Sequence, residues 1–126
     1  MDIRTFLYVA IGGMGGAASR WGLLEILPDN NSWPWQIFIV NMVGCCILGV
    51  IVSKPFQRLS PRSISALATG LCGSFTTFSM FSLGLAELLR SNQVSVALTY
   101  LGLSVIGGLI LFLLSKSFFN RIGVSK

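Results

Sequence analysis

Charged side chains almost vanish from four long stretches of this 126-residue chain, 3–27, 33–52, 64–89 and 94–118. That absence limits the fold more than any motif does. A helix that crosses a bilayer needs roughly 20 mostly apolar residues in a row. Charged residues make up 10% of the chain, against about a quarter in soluble domains. The apolar runs are continuous rather than alternating, so they predict helices and not barrel strands. Only short polar pieces lie between them. The expectation is an all-α membrane protein with four transmembrane helices, residues 1–126 forming a single transmembrane domain.

Several other classes drop out. Arg4 and the small-residue run GGAAS resemble a signal peptide and its cleavage site, but apolar sequence resumes after Arg20 with Trp21, Leu23 and Leu24, so the stretch is read as a span. The sequon Asn30-Asn31-Ser32 falls in a tight loop against the membrane, where a glycan fits poorly, and is read as a chance occurrence. Cys45, Cys46 and Cys72 lie inside spans without zinc spacing, and the chain has no histidine. They read as small apolar residues. Without histidine no Ser-His-Asp set can form, and no GxxxxGK loop occurs, so the chain is not expected to be an enzyme. The net charge of +5 is spread along the membrane edges with no basic cluster elsewhere, which argues against nucleic acid as a partner.

The distribution of that charge speaks to orientation. With four spans, the N-terminus, the second loop and the C-terminus share one side. Arg4, Lys54, Arg58, Arg62, Lys116, Arg121 and Lys126 lie there, seven against Arg20 and Arg90. Cytoplasmic loops carry the Lys/Arg excess, so this pattern predicts one fixed orientation with the first side cytoplasmic.

Polar groups inside a bilayer are costly, so each needs a reason. Asn41 lies near the middle of the second span. Its amide either ties helices together or donates hydrogen bonds to an anion. Arg20 shares a stripe with Gly12 and Gly16 at i, i+4 spacing, and such glycines admit a close neighbouring helix. It either snorkels to the interface or supplies a positive field at a pore mouth. Tyr100, Ser104 and Gly108 repeat at i, i+4 on the fourth span and can form a donor track. Glu25 and Glu87 sit near span ends, leaving no paired carboxylates at mid-membrane for proton coupling.

The densest polar segment is Gly70–Phe81, GLCGSFTTFSMF. Its glycines weaken a helix, and its threonines compete for backbone hydrogen bonds. A break near mid-membrane is expected, tolerated only where it is buried or lines a cavity. Carbonyls released there can bind a cation. Ser74, Thr76, Thr77, Ser79 and Ser82 add hydroxyl donors. Phe75, Phe78 and Phe81 recur every third residue. Phe75 reads as core packing, whereas Phe78 and Phe81 can offer an anion the positive edge of the ring. Weak partners suit transit, because an anion bound too tightly never leaves.

G-x-x-S-R-W around Arg20, V-N-x-x-G around Asn41 and, above all, G-x-x-G-S-x-T-T-F-S-x-F resemble the fluoride channel (Fluc/CrcB) family over the whole chain. The resemblance implies a homodimer of two antiparallel subunits, hence dual topology, with two fluoride pores and a buried Na+ on the two-fold axis. It implies Asn41 as the pore amide and Phe78 and Phe81 as the pore aromatics, with Ser79 among the pore hydroxyls. Tyr100 and Ser104 would form the polar track, and Arg20 would stand at the vestibule. The carbonyls of Gly73 and Thr76 would hold the sodium. The seven-to-two charge bias sits awkwardly with insertion in both orientations: either it is overridden in the homodimer or this chain pairs with an oppositely oriented relative.

The expected function is passive fluoride export across a bacterial inner membrane by a multi-pass channel, with membrane lipid and a second copy of the chain as partners. A small multidrug exporter is the alternative, sharing size, spans and antiparallel pairing, but it requires a buried glutamate in the first span. A third possibility is a non-transporting membrane subunit whose glycines and hydroxyls only join helices.

Overall fold

The computed structural model describes residues 2–28 and 33–122. The sequon at Asn30 and the terminal Lys126 lie outside them. The described residues form helices joined by short turns, with no strand among them.

The first helix, α1 (Ile3–Ile26), starts where Asp2 accepts a hydrogen bond from the Thr5 amide. It ends because Leu27 precedes Pro28 and is forced extended, at φ −79° and ψ 133°. The orphan carbonyls at that end are met from the next helix: Gln36 Nε2 donates to Leu24 O at 3.2 Å and Leu27 O at 2.7 Å. Helix α2 (Trp35–Ile51) follows, then a 3₁₀ turn at Lys54–Arg58.

The third path opens at α3 (Pro61–Ser65), three residues earlier than expected. Ser60 caps it and Pro61 takes the first position, a pairing that presets a helix start. The chain then widens into a π-helix at Ala66–Cys72, passes through α4 (Gly73–Phe75) and resumes as α5 (Phe78–Arg90). Asn92, at φ 63°, turns it into α6 (Val94–Ile122). Gln93 N donates to Leu88 O and Asn92 N to Leu89 O, which satisfies the last carbonyls of α5 in a Schellman arrangement. Helix α6 runs past the expected boundary at 118 to Ile122, with Arg121 in its last turn, where a cation suits the negative end of the helix dipole.

The paths at Pro61–Arg90 and Val94–Ile122 are each long and apolar enough to cross a membrane. Helix α2 is apolar but shorter, and α1 is long yet carries Arg4, Arg20 and Glu25. Leu103, Ile106, Leu109, Leu113 and Leu114 all stand exposed along α6, as expected of a surface whose solvent is lipid.

Glycine sets how closely the paths meet. A methyl group at Gly12 would collide with the Ala66 carbonyl, and one at Gly16 with the Leu71 carbonyl. The α1 backbone therefore lies directly against the π-helical segment. Arg20, one turn further along the same stripe, is carried toward the end of that segment. On the other side, α2 packs on α6, and Ile37, Phe81, Leu88, Ala97 and Tyr100 form a buried core.

Candidate functional site

Two threonines interrupt the third path. Thr76 has φ −77° and ψ 160°, and Thr77 has φ −145° and ψ 113°, so both are extended between two helices. In an unbroken helix the Thr77 amide would donate to the Gly73 carbonyl. Here it donates to Asn41 Oδ1 at 2.9 Å, and Asn41 Nδ2 donates back to the Thr77 carbonyl at 3.2 Å. Thr76 Oγ1 turns back to the Cys72 carbonyl at 2.9 Å. Thr77 Oγ1 caps α5 by accepting from Met80 N at 3.2 Å. Thr76 keeps its backbone bond to the Cys72 carbonyl at 3.0 Å and adds the hydroxyl to it, whereas the Thr77 side chain supplies an acceptor that the lost helical turn would have given from backbone.

A cavity of about 390 Å³ opens beneath the interruption. Asn41, Gly73, Thr76, Phe78, Phe81 and Ser104 are among its lining residues, and no carboxylate is. The structure therefore brings together the amide, both aromatic rings, one fourth-helix hydroxyl and the two residues whose carbonyls are the expected cation ligands. Phe81 is buried and its ring centroid lies 5.1 Å from that of Tyr100. Phe78 is 80% exposed, with its centroid 5.9 Å from that of Phe81. Phe75 is buried, in keeping with a packing role.

Three candidates stand apart from the cavity lining. Ser79 is exposed, with its hydroxyl 3.2 Å from Thr77 Oγ1. Tyr100 is fully buried behind Phe81. Arg20 is partly buried and sends Nη1 to the Thr76 carbonyl at a long 3.4 Å. That guanidinium brings positive charge to the interruption.

Two hydroxyls in this region lack a partner among the described residues: Tyr100 Oη and Ser104 Oγ are buried and make no hydrogen bond there. An unmet buried hydroxyl costs about 1–3 kcal/mol, and such groups usually have a reason to persist. Both belong to the stripe expected on the fourth span, whose Gly108 is also buried.

The remaining lining escapes sequence reasoning. Met42, Cys45, Leu48, Cys72 and Val105 are apolar wall residues, and nothing in their spacing separates wall from core. Gly44 had a signal as the last position of V-N-x-x-G. A Cβ there would strike the Thr76 methyl group, so this glycine lets the interruption seat on α2. All three cysteines are free thiols. No metal-holding group of His, Cys, Asp and Glu occurs among the described residues. Glu25 and Glu87 are both exposed, which removes the buried carboxylate that the exporter alternative requires.

Similarity to known proteins agrees with this geometry. Residues 7–116 match the family described as CrcB-like protein, Camphor Resistance (CrcB). The chain is 40% identical over 124 residues to the fluoride-specific ion channel FluC of Chlorobium phaeobacteroides, covering 96% of this chain and 95% of that one. It is 39% identical over 111 residues to FluC 1 of Moorella thermoacetica, covering 83% and 78%. To FluC of Flavobacterium psychrophilum it is 35% identical over 111 residues, covering 85% and 90%. With the matched region spanning the site and all four helical paths, this chain is a membrane protein of the CrcB family.

Proposed function

We propose that the chain forms a fluoride-selective channel that exports the anion passively across a bacterial inner membrane. One observation carries the reading: the cavity under the Thr76–Thr77 interruption joins an amide, two phenylalanine rings and an unpartnered hydroxyl, without a carboxylate. The relatives' names as fluoride-specific channels support it. Moving a bare anion into an apolar medium costs tens of kcal/mol, so its lost water must be replaced. Asn41 Nδ2 has two N–H groups and gives one to Thr77, which leaves the other for an anion. Ser104 Oγ and Tyr100 Oη can rotate their protons toward the same path, and the Phe81 and Phe78 edges add weak positive contacts. Ser79 joins them if its hydroxyl turns from Thr77. Arg20 raises anion concentration at the mouth. An inside-negative potential drives the anion outward by about 2.3 kcal/mol per 100 mV, so no enzymatic step is required.

The working unit in this reading is an antiparallel dimer with the interruption near mid-membrane. A phenylalanine 80% exposed at the rim of the cavity calls for a covering surface, and a second copy in lipid supplies it. Gly73 fits a sodium site. Its carbonyl has lost its helical donor to Asn41, and the space where a side chain would project is open. Two-fold pairing would bring the Gly73 and Thr76 carbonyls of both chains together, four hard oxygens suited to Na+. The bound ion would supply positive charge that ties the two interruptions together. Arg20 leaves the Thr76 oxygen a lone pair for this purpose.

The deciding experiment loads liposomes containing the purified protein with fluoride or chloride and follows release electrically and with a fluoride electrode. Fluoride release without chloride release is expected; equal release of both defeats the selectivity. Accessible-cysteine labelling of both termini in cells tests the pairing. Labelling from both sides of the membrane is expected, and one-sided labelling would exclude the homodimer.

A further inference from the structure

The expected membrane-edge cations are not evenly spread: three of them converge at one place away from the channel site. Lys54, at the start of the 3₁₀ turn, and Lys116 and Arg121, in the last turns of α6, line a pocket of about 590 Å³ with Leu113, Ser117 and Asn120. The pocket is braced. Asn120 Oδ1 accepts from the Lys54 amide at 2.7 Å, which fixes the turn to α6 and leaves the Asn120 N–H groups as donors. Lys116 Nζ lies 5.9 Å from the centre of the Phe112 ring, within cation–π range. No carboxylate lines the pocket, and none of its three cations forms an ion pair among the described residues. By contrast Arg62, at the same end of the protein, is paired with Asp2 at 2.9 Å.

Directly along α6 from the basic pocket runs an apolar stripe, with Ile110, Leu113 and Leu114 all about half exposed or more. Spacings of three and four residues put these side chains on the face that ends in Ser117 and Arg121. Clustered cations at the end of an exposed apolar stripe match one molecule in both halves. We propose that this pocket seats the phosphate of an anionic phospholipid, one per chain, with its acyl chains lying along Ile110, Leu113 and Leu114. Lys54, Lys116 and Arg121 neutralise the headgroup, and Ser117 and Asn120 donate to its oxygens.

Native mass spectrometry of the purified full chain, with phosphatidylglycerol or phosphatidylcholine added in equal amounts, tests this. Preferential retention of phosphatidylglycerol is expected. The double variant K116Q/R121Q should lose it by about fivefold for each charge removed. K54Q keeps the backbone bond to Asn120 and should lose about fivefold alone, so the test survives if the double variant fails to fold. R90Q, at the other end of the bundle, should retain the lipid as the parent does. Equal retention of the two lipids would overturn the assignment, as would unchanged retention by K54Q. Displacement of phosphatidylglycerol by millimolar inorganic phosphate would reassign the pocket to a soluble anion.

Discussion

Asn41 and Thr77 hold each other through two hydrogen bonds, amide to Oδ1 at 2.9 Å and Nδ2 to carbonyl at 3.2 Å. The side chain of α2 thereby replaces the backbone partners that Thr77 lost when the third path opened. Asn41 is a structural brace and, in the proposed channel, an anion donor as well. The two roles are separable.

N41A removes both bonds and leaves the Thr77 amide and carbonyl unmet, at a cost of about 1–3 kcal/mol for each buried group. N41D keeps the acceptor for the Thr77 amide but sets a second oxygen against the Thr77 carbonyl and presents negative charge to the cavity. Thermal unfolding of solubilised protein should show a loss in both variants, since each removes the donor to the Thr77 carbonyl. Liposome flux should be abolished in both. Retained flux in N41D would leave Asn41 with the brace alone.

Phe78 and Phe81 occupy different environments, and isoleucine at each should separate stability from conduction. F81I shrinks a buried side chain packed on Tyr100 and should cost about 1–3 kcal/mol. F78I alters an exposed ring and should change the stability of a single chain by about 0.5 kcal/mol or less. Fluoride flux should fall in both. If F78I conducts like the parent, its ring is not part of the pore.

Removing the orphaned hydroxyls should stabilise the protein while slowing it. Y100F and S104A each delete a buried polar atom with no partner, so the melting temperature should rise by the equivalent of about 1 kcal/mol. Flux should drop, since an anion in transit loses a donor. A rise in stability with unchanged flux would show that the hydroxyls play no part in conduction.

Backbone contact between α1 and the π-helical segment should make Gly16 intolerant. G16A drives a methyl group into the Leu71 carbonyl and should cost about 1–3 kcal/mol. Gly15 has nothing near its would-be side chain within the chain. G15A should gain up to about 1 kcal/mol from helix propensity. Unfolding curves of the two variants, compared at equal detergent, check the contrast.

Acid should loosen the start of α1. Hydrogen bonds from the Thr5 side chain and amide, with a smaller contribution from Arg62, hold the Asp2 carboxyl below its ordinary range. A lowered value means that the contribution is complete above the ordinary carboxylate range and disappears as pH falls through the lowered one. Stability measured between neutral and strongly acidic pH should therefore decline at the acid end, less steeply in D2N. Because the Asp2 side chain is exposed to solvent, the difference should be small and should shrink further in high salt.

The helical paths and the membrane as solvent were readable because hydropathy and helix preference act over neighbouring residues. Ser60-Pro61, Leu27-Pro28 and the glycine pair Gly12–Gly16 mark starts, stops and close faces by local sterics. The weakness of the Thr76–Thr77 segment was readable for the same reason. The segment G-S-x-T-T-F-S also carried a family resemblance through to the comparison with known channels.

What the chain order left open were the partners. Nothing local pairs Asn41 with the backbone of Thr77, places Arg20 at the Thr76 carbonyl, buries Phe81 while exposing Phe78, or gathers Lys54 with Lys116 and Arg121. Each depends on groups distant in sequence meeting at one place, and the packing of backbone on backbone through glycine sets that meeting. Composition and pattern therefore determined the solvent, the helices and the chemical stock of the site. Only the tertiary structure decided which of those groups bind one another and which, like the Tyr100 and Ser104 hydroxyls, are left without a partner.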